Sequence, residues 1–252
     1  MPSGTAWSSE EEAPVRKVIQ VLGELLMTAG LVLLLFVGWD LWWTNVTADH
    51  QQEQAVQSFT RQFTPPAAPP AGSAERDFGA PRVAQAQPHG EMLGVVYVPR
   101  FGSDYSRPLI QGTSQDVLDT LGLGHYDKTA MPGALGNFAV AGHRQTHGSV
   151  LDNIHLLQPG DKIYVQTREG FYTYVYRNTE IVLPNRVDVI LPVPTVPGAQ
   201  PKERLMTMTS CNPRFGSEER IIAYSVMESW RPLSAGAPRE IAPLVAKVSG
   251  KG

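Results

Sequence analysis

Residues Leu25 to Trp39 carry no charge and read LLMTAGLVLLLFVGW, and this run constrains the chain more than any other feature. With its flanks, Val18 to Trp43, it is long enough for the ~20 apolar residues that a helix needs to cross a bilayer. Trp39, Trp42 and Trp43 gather at one end, where an aromatic belt meets lipid headgroups. Arg16 and Lys17 flank the other end, which favours an N-terminus on the cytoplasmic side. A cleaved signal peptide has a shorter apolar core followed by small residues; here the core is long and Trp-rich sequence follows it. The run is therefore read as an uncleaved single-pass transmembrane anchor at the cell membrane, residues 18–43, after a cytoplasmic tail of residues 1–17. The catalytic or binding domain then lies outside the cell.

From Asn45 to about Gly90 the chain is polar and then Pro/Ala-rich, as in Pro65-Pro66-Ala67-Ala68-Pro69-Pro70. Such composition buries little apolar surface, so residues 44–90 are expected to be a semi-extended tether without a core. Gln51 to Phe63 reads as a short helix continuing from the span. From Glu91 onward the texture changes to short apolar runs punctuated by Gly, Pro and Asn. Strands are expected at 93–98, 137–142, 162–167, 171–176, 181–183, 187–191, 205–211 and 221–227, with Arg168-Glu169-Gly170 as a hairpin turn. Helical turns are expected at 115–121 and 150–157. Many short strands with turn punctuation predict a mostly β fold with short helices over residues 91–233, a closed or nearly closed barrel of about eight strands. The tail, 234–252, is expected to be loose. A net charge of −3 gives no nucleic-acid footprint. No phosphate-cradling glycine loop, paired carboxylates or metal-ligand spacing stands out.

The chain has one cysteine, Cys211, at the end of the strand-like run Leu205 to Cys211. A single thiol forms no internal disulfide and excludes a disulfide-stapled scaffold. It is either a small buried hydrophobe or a reactive group. Side chains alternate along a strand, so Leu205, Thr207, Thr209 and Cys211 share one face. If the next strand, from Ile221, is an antiparallel neighbour, Arg220 returns level with Cys211. A guanidinium there could stabilise negative charge at the sulfur or on a substrate oxygen. Among six histidines, His143 is the best placed, at the end of an apolar strand in Ala141-Gly142-His143-Arg144, with His147 in the same loop as the runner-up.

A cysteine at a strand end, Cys-x8-Arg, and an upstream strand ending in Gly-His together resemble the sortases, membrane-anchored cysteine transpeptidases. Thr207-Met208-Thr209-Ser210-Cys211 resembles the family's Thr-Leu-x-Thr-Cys, with Met208 for Leu and Ser210 for Thr. Gly124-His125-Tyr126, Pro132-Gly133, Gly136 to Arg144 and Leu41 to Asn45 look like the class E sortases of actinobacteria. The resemblance implies Cys211 as nucleophile, His143 as general acid/base and Arg220 as the substrate-orienting or oxyanion-stabilising residue. It implies substrate contacts at Tyr126, Thr209 and Ser210; no cofactor is expected, and although some sortases use calcium, no residues here identify a metal site. It also implies cleavage of a Leu-Ala/Pro-x-Thr-Gly sorting signal between Thr and Gly. The partners would be surface proteins bearing that C-terminal signal and a lipid-linked peptidoglycan precursor or another amine acceptor. Two alternatives stand beside it: a tethered barrel that only binds, with Cys211 inert, and an L,D-transpeptidase-like wall enzyme. The latter's Ser-x-Gly-Cys-x-Arg pattern is not matched around Cys211.

Overall fold

The structure, a computed structural model, describes residues 12–66 and 77–250. The first eleven residues of the expected tail and residues 67–76 of the expected tether lie outside the described residues. The first helix, α1 (Glu12–Gln62), contains the apolar run. Its segment Arg16–Trp39 is long and apolar enough to cross a membrane: 24 residues at ~1.5 Å each span about 36 Å. Leu26, Leu34 and Phe36 are among the apolar side chains it exposes on all sides, as lipid would require. The residues up to Trp43 and those from Thr44 onward form separate compact units.

The second unit is a closed barrel of eight strands. In chain order they are β1 (Met92–Tyr97), β2 (Ser106–Gln111), β3 (Leu123–His125), β4 (Gly136–Ala141), β5 (Lys162–Gln166), β6 (Gly170–Val182), β7 (Arg204–Asn212) and β8 (Glu219–Pro232). Around the barrel they run β1-β2-β3-β4-β7-β8-β6-β5. Two neighbouring pairs are parallel, β2 with β3 and β4 with β7; the rest are antiparallel. Closure leaves no open sheet edge. The interior is filled by one face of each strand, including Leu93, Val96, Phe138, Val140, Met206, Met208 and Ile221.

The eight-stranded barrel expected from the sequence is present, but two of its strands are different ones. The run 187–191 is not a strand: Val187–Ile190 forms a 3₁₀ turn, closed by Leu191 and Thr195 N–H donating to Asp188 O. Pro184 and Pro192 bracket the run, and proline supplies no ladder donor. The run 181–183 is the end of the long β6. In place of these, β2 and β3 complete the barrel. β2 contains Pro108, which reads as a strand breaker, and β3 has three residues, one of them glycine. The expected turns appear as α2 (Gln115–Leu121) and a 3₁₀ turn at Asp152–Leu156.

Both flanks of the barrel differ from expectation. The helix expected at 51–63 as a continuation of the span is present as the end of α1, but it is packed, with Val56 and Phe59 buried against Val95, Tyr97 and Phe171. Residues 77–90 lie along the barrel, where Tyr172 Oη donates to Arg82 O at 2.7 Å and Trp230 Nε1 donates to Gly79 O at 2.9 Å. The tail is not loose: α3 (Ala242–Val248) follows Ala237 and Ile241 into the same apolar cluster as Val56. Each segment carries only a few apolar residues, and the partner that buries them is distant in sequence.

Candidate active site

β4 and β7 lie side by side and parallel, in register from Gly136 with Arg204 to Ala141 with Thr209. Level residues on parallel neighbours point to the same face, and two steps further along each strand lie His143 and Cys211. The strand ends stay joined there. Gly142 N–H donates to Thr209 O at 3.2 Å, and Ser210 Oγ donates to Gly142 O at 2.8 Å. On its other side β7 pairs antiparallel with β8, and Cys211 is the direct partner of Arg220. A hairpin-like pair of strands and a third strand distant in sequence thus deliver the three expected residues to one rim. All three are half-buried.

The face they occupy follows from the core. Met206 and Met208 point into the barrel, so Thr207, Thr209 and Cys211 point out of it. The 3₁₀ turn at 187–190 forms a wall beside that outward strip. Val189 packs on Ile222 and Val182, and Asn137 Nδ2 donates to Val189 O and Leu191 O at 3.4 and 3.1 Å. Tyr126 stands over the strip, its hydroxyl hydrogen-bonded to the Thr209 hydroxyl at 3.0 Å.

Glycine at 142 is dictated by close approach. A Cβ there would meet Val150 Cγ2 at 2.7 Å and Leu123 Cδ2 at 2.8 Å. The backbone that carries His143 therefore lies directly on the core.

Residues 96–228 match the sortase domain model. The chain belongs to the sortase family. A similar relative is sortase SrtE1 of Streptomyces coelicolor, 36% identical over 226 residues, which cover 87% of this chain and 60% of that protein. The chain therefore spans less than two thirds of that relative's length. Among solved structures, the SrtA sortase from Actinomyces oris is 38% identical with a TM-score of 0.62, covering 65% of this chain and 94% of that one. Sortase E1 from Streptomyces coelicolor, solved with a tripeptide in the active site, is 37% identical with a TM-score of 0.57, covering 60% of this chain and 97% of that one. Within the family, the likeness is to the class E sortases of actinobacteria.

In this sortase, three groups beside the expected residues complete the rim. Asp119, from α2, hydrogen-bonds His143 Nε2 through Oδ1 at 2.7 Å. The same Oδ1 lies 3.7 Å from His147 Nδ1, and the two imidazoles are 5.1 Å apart between centroids. The sequence shows no metal-ligand cluster, yet the fold brings these three donor residues together. Arg144 is buried, and its Nη1 donates to Cys211 O at 3.2 Å and to Asn212 Oδ1. Burial lowers its guanidinium pKa from the ordinary value, while Asp152 and Cys211 oppose that shift electrostatically. Arg144 thereby ties the His143 loop to the end of β7.

Ser210 differs from its expected place. Its side chain is buried on the face opposite Cys211 and bonds the Gly142 carbonyl, so it anchors the strand ends and does not line the outward strip. Arg220 Nη1 donates to Ser217 O and Glu219 O, both at 2.8 Å, which fixes the guanidinium against the loop after β7. Asp119 lies in no motif of the sequence, and Arg144 closes the Gly136 to Arg144 run without a role of its own there. Only the adjacency of α2, β4 and β7 selects them.

Proposed function

We propose that this sortase is a membrane-anchored cysteine transpeptidase that cleaves a Leu-Ala/Pro-x-Thr-Gly sorting signal between Thr and Gly. The observation that carries this reading is the register: Cys211 opposite Arg220 across β7 and β8, with His143 at the end of the parallel neighbour β4. The Cys211 thiolate attacks the threonine carbonyl carbon, and the carbonyl oxygen takes up the negative charge beside the Arg220 guanidinium. As the C–N bond breaks, His143 gives a proton to the departing glycine nitrogen. The threonine acyl group is left on sulfur as a thioester. An incoming amine adds to that carbonyl, loses its proton to His143, and expels the Cys211 thiolate. The acceptor is a cell-wall precursor amine, and the substrates are surface proteins bearing the signal. His143 Nε2 is engaged by Asp119, so Nδ1 is the atom assigned to proton transfer.

Thr209 and Tyr126 form the surface assigned to the residues preceding the cleaved bond. The Streptomyces coelicolor sortase E1, solved with a tripeptide in its active site, supports a peptide substrate for this site. The span Arg16–Trp39 is assigned as the anchor, with the N-terminus inside the cell and the barrel outside. Anchoring raises the barrel's effective concentration near membrane-emergent substrates and a lipid-linked acceptor.

The test is a Leu-Ala-x-Thr-Gly peptide incubated with the purified chain and a free amine. The expected product is the amine joined to threonine, with an acyl-enzyme mass trapped on Cys211. Cys211→Ala and His143→Ala should abolish transfer, and full turnover by Cys211→Ala would sink the assignment.

A further inference from the structure

We propose that Asp119, His143 and His147 form a binding site for a borderline transition-metal ion of the zinc class, and that the ion holds the enzyme inactive. The donor set is two imidazoles and one carboxylate, whose ligand atoms all lie within 4.8 Å of one another. Ligand atoms on a tetrahedral ion with bonds of ~2.0–2.1 Å are roughly 3.3 Å apart. Here Asp119 Oδ1 is 2.7 Å from His143 Nε2 and 3.7 Å from His147 Nδ1, so the first must lengthen by about 0.6 Å and the second shorten by about 0.4 Å, within reach of side-chain rotation.

A second observation points the same way. His147 Nδ1 is shielded from solvent and has no hydrogen-bond partner. A buried ring nitrogen left open toward a carboxylate is suited to a ligand. The loop that presents it is built, not slack. His147 sits at φ 53°. Its carbonyl accepts from Gln52 Nε2 at 3.1 Å, and the following Gly148 N–H donates to Asn45 Oδ1 at 3.0 Å. Two neutral imidazoles with one carboxylate suit zinc and its neighbours, whereas calcium and magnesium prefer all-oxygen sets. Three protein ligands leave a coordination position for water.

The inhibitory consequence rests on the assignment of His143 to proton transfer. An ion bound at Nε2 leaves the neutral ring with its one proton on Nδ1, so the Nδ1 lone pair that takes the incoming amine's proton is no longer available. Binding itself needs no catalysis and can be read separately.

The experiment uses the full chain in detergent after chelator treatment. Cobalt is titrated while its visible ligand-field absorption is followed, and zinc is titrated by calorimetry. The expected result is one equivalent per chain, with affinity at least tenfold weaker in both Asp119→Asn and His147→Asn. Asparagine tolerates the left-handed backbone at position 147, so the latter removes the imidazole without straining the loop. Cys211→Ser should bind like the parent. Loss of binding in Cys211→Ser, or parental binding by His147→Asn with unchanged melting, would overturn the site. In the peptide assay, saturating zinc should lower parental turnover at least tenfold, reversibly on chelation. The ratio of turnover with and without zinc should approach one in His147→Asn. Zinc that binds through His147 yet leaves turnover intact would overturn the inhibition while keeping the site. Absence of turnover even in chelator would instead count against the proposed function and leave the binding result standing.

Discussion

At the scale of single residues, the barrel holds several polar side chains in fixed roles that composition alone does not suggest. His125 is fully buried between Gln111 Oε1 at 3.3 Å from Nδ1 and Thr129 Oγ1 at 3.0 Å from Nε2, with its ring 5.3 Å from that of Phe138. Burial lowers its pKa below the ordinary 6.5, against the opposing influence of the Ala130 carbonyl and Asp127. The unfolded chain therefore takes up this proton first, and folding stability falls as pH drops below 6.5 until the folded-state pKa is passed. The carboxylates held low by arginine partners, Asp161, Asp188 and Glu203, start from ordinary values of 3.8, 3.8 and 4.5 and act in a more acid window. The melting temperature should decline between pH 7.5 and 5.5, and His125→Asn should flatten that decline while melting lower throughout. An equal slope in the variant would assign the effect to another group. The same residue shows how partial a motif is. Gly124-His125-Tyr126 looks like one functional unit in the sequence, yet only Tyr126 reaches the outward strip. Gly124 is there because a Cβ would meet Gly112 O at 2.3 Å.

At the scale of elements, the parallel pairing of β4 and β7 decides the site. Parallel strands end at the same rim, so a histidine after one and a cysteine at the end of the other become neighbours with 67 residues of sequence between them. The Cys211–Arg220 pairing was legible because an eight-residue loop between two apolar runs implies a hairpin-like return. The neighbourhood of β4 was not, because a parallel partner leaves no turn signal. The docking of α3 was equally hidden. Ile241 and Val245 are both almost wholly buried, in one cluster with Val56 and Phe59 of α1, which lie far earlier in the chain. Ile241→Ala should cost about 2–5 kcal/mol and lower the melting temperature by several degrees. Unchanged melting would mean that this end of the chain contributes nothing to the barrel.

At the scale of the whole molecule, the residues up to Trp43, which carry the apolar run, and those from Thr44 onward, which form the barrel, are separate compact units. A chain beginning at Thr44 should keep the melting temperature and soluble-peptide turnover of the full chain. One beginning after Gln62 should melt lower, because it removes Val56 and Phe59 from the cluster that also holds Tyr97 and Phe171. Thermal unfolding of the two truncations checks this, and equal melting would show the packed helix to be dispensable.

The sequence alone determined the apolar span, the β texture and the hairpin-like return that sets Cys211 beside Arg220. Each is a local pattern: an uncharged run of helical length, period-two alternation, and a turn between neighbours. The tertiary structure decided what depends on partners distant in the chain. It placed β2 and β3 in the barrel despite Pro108 and Gly124, and it turned 187–191 into a wall. It packed both flanking segments and set Asp119 and His147 around His143. The physical reason is common to all of them: burial and hydrogen-bond pairing across long loops override weak local preference, and they leave no periodic signature in the residues themselves.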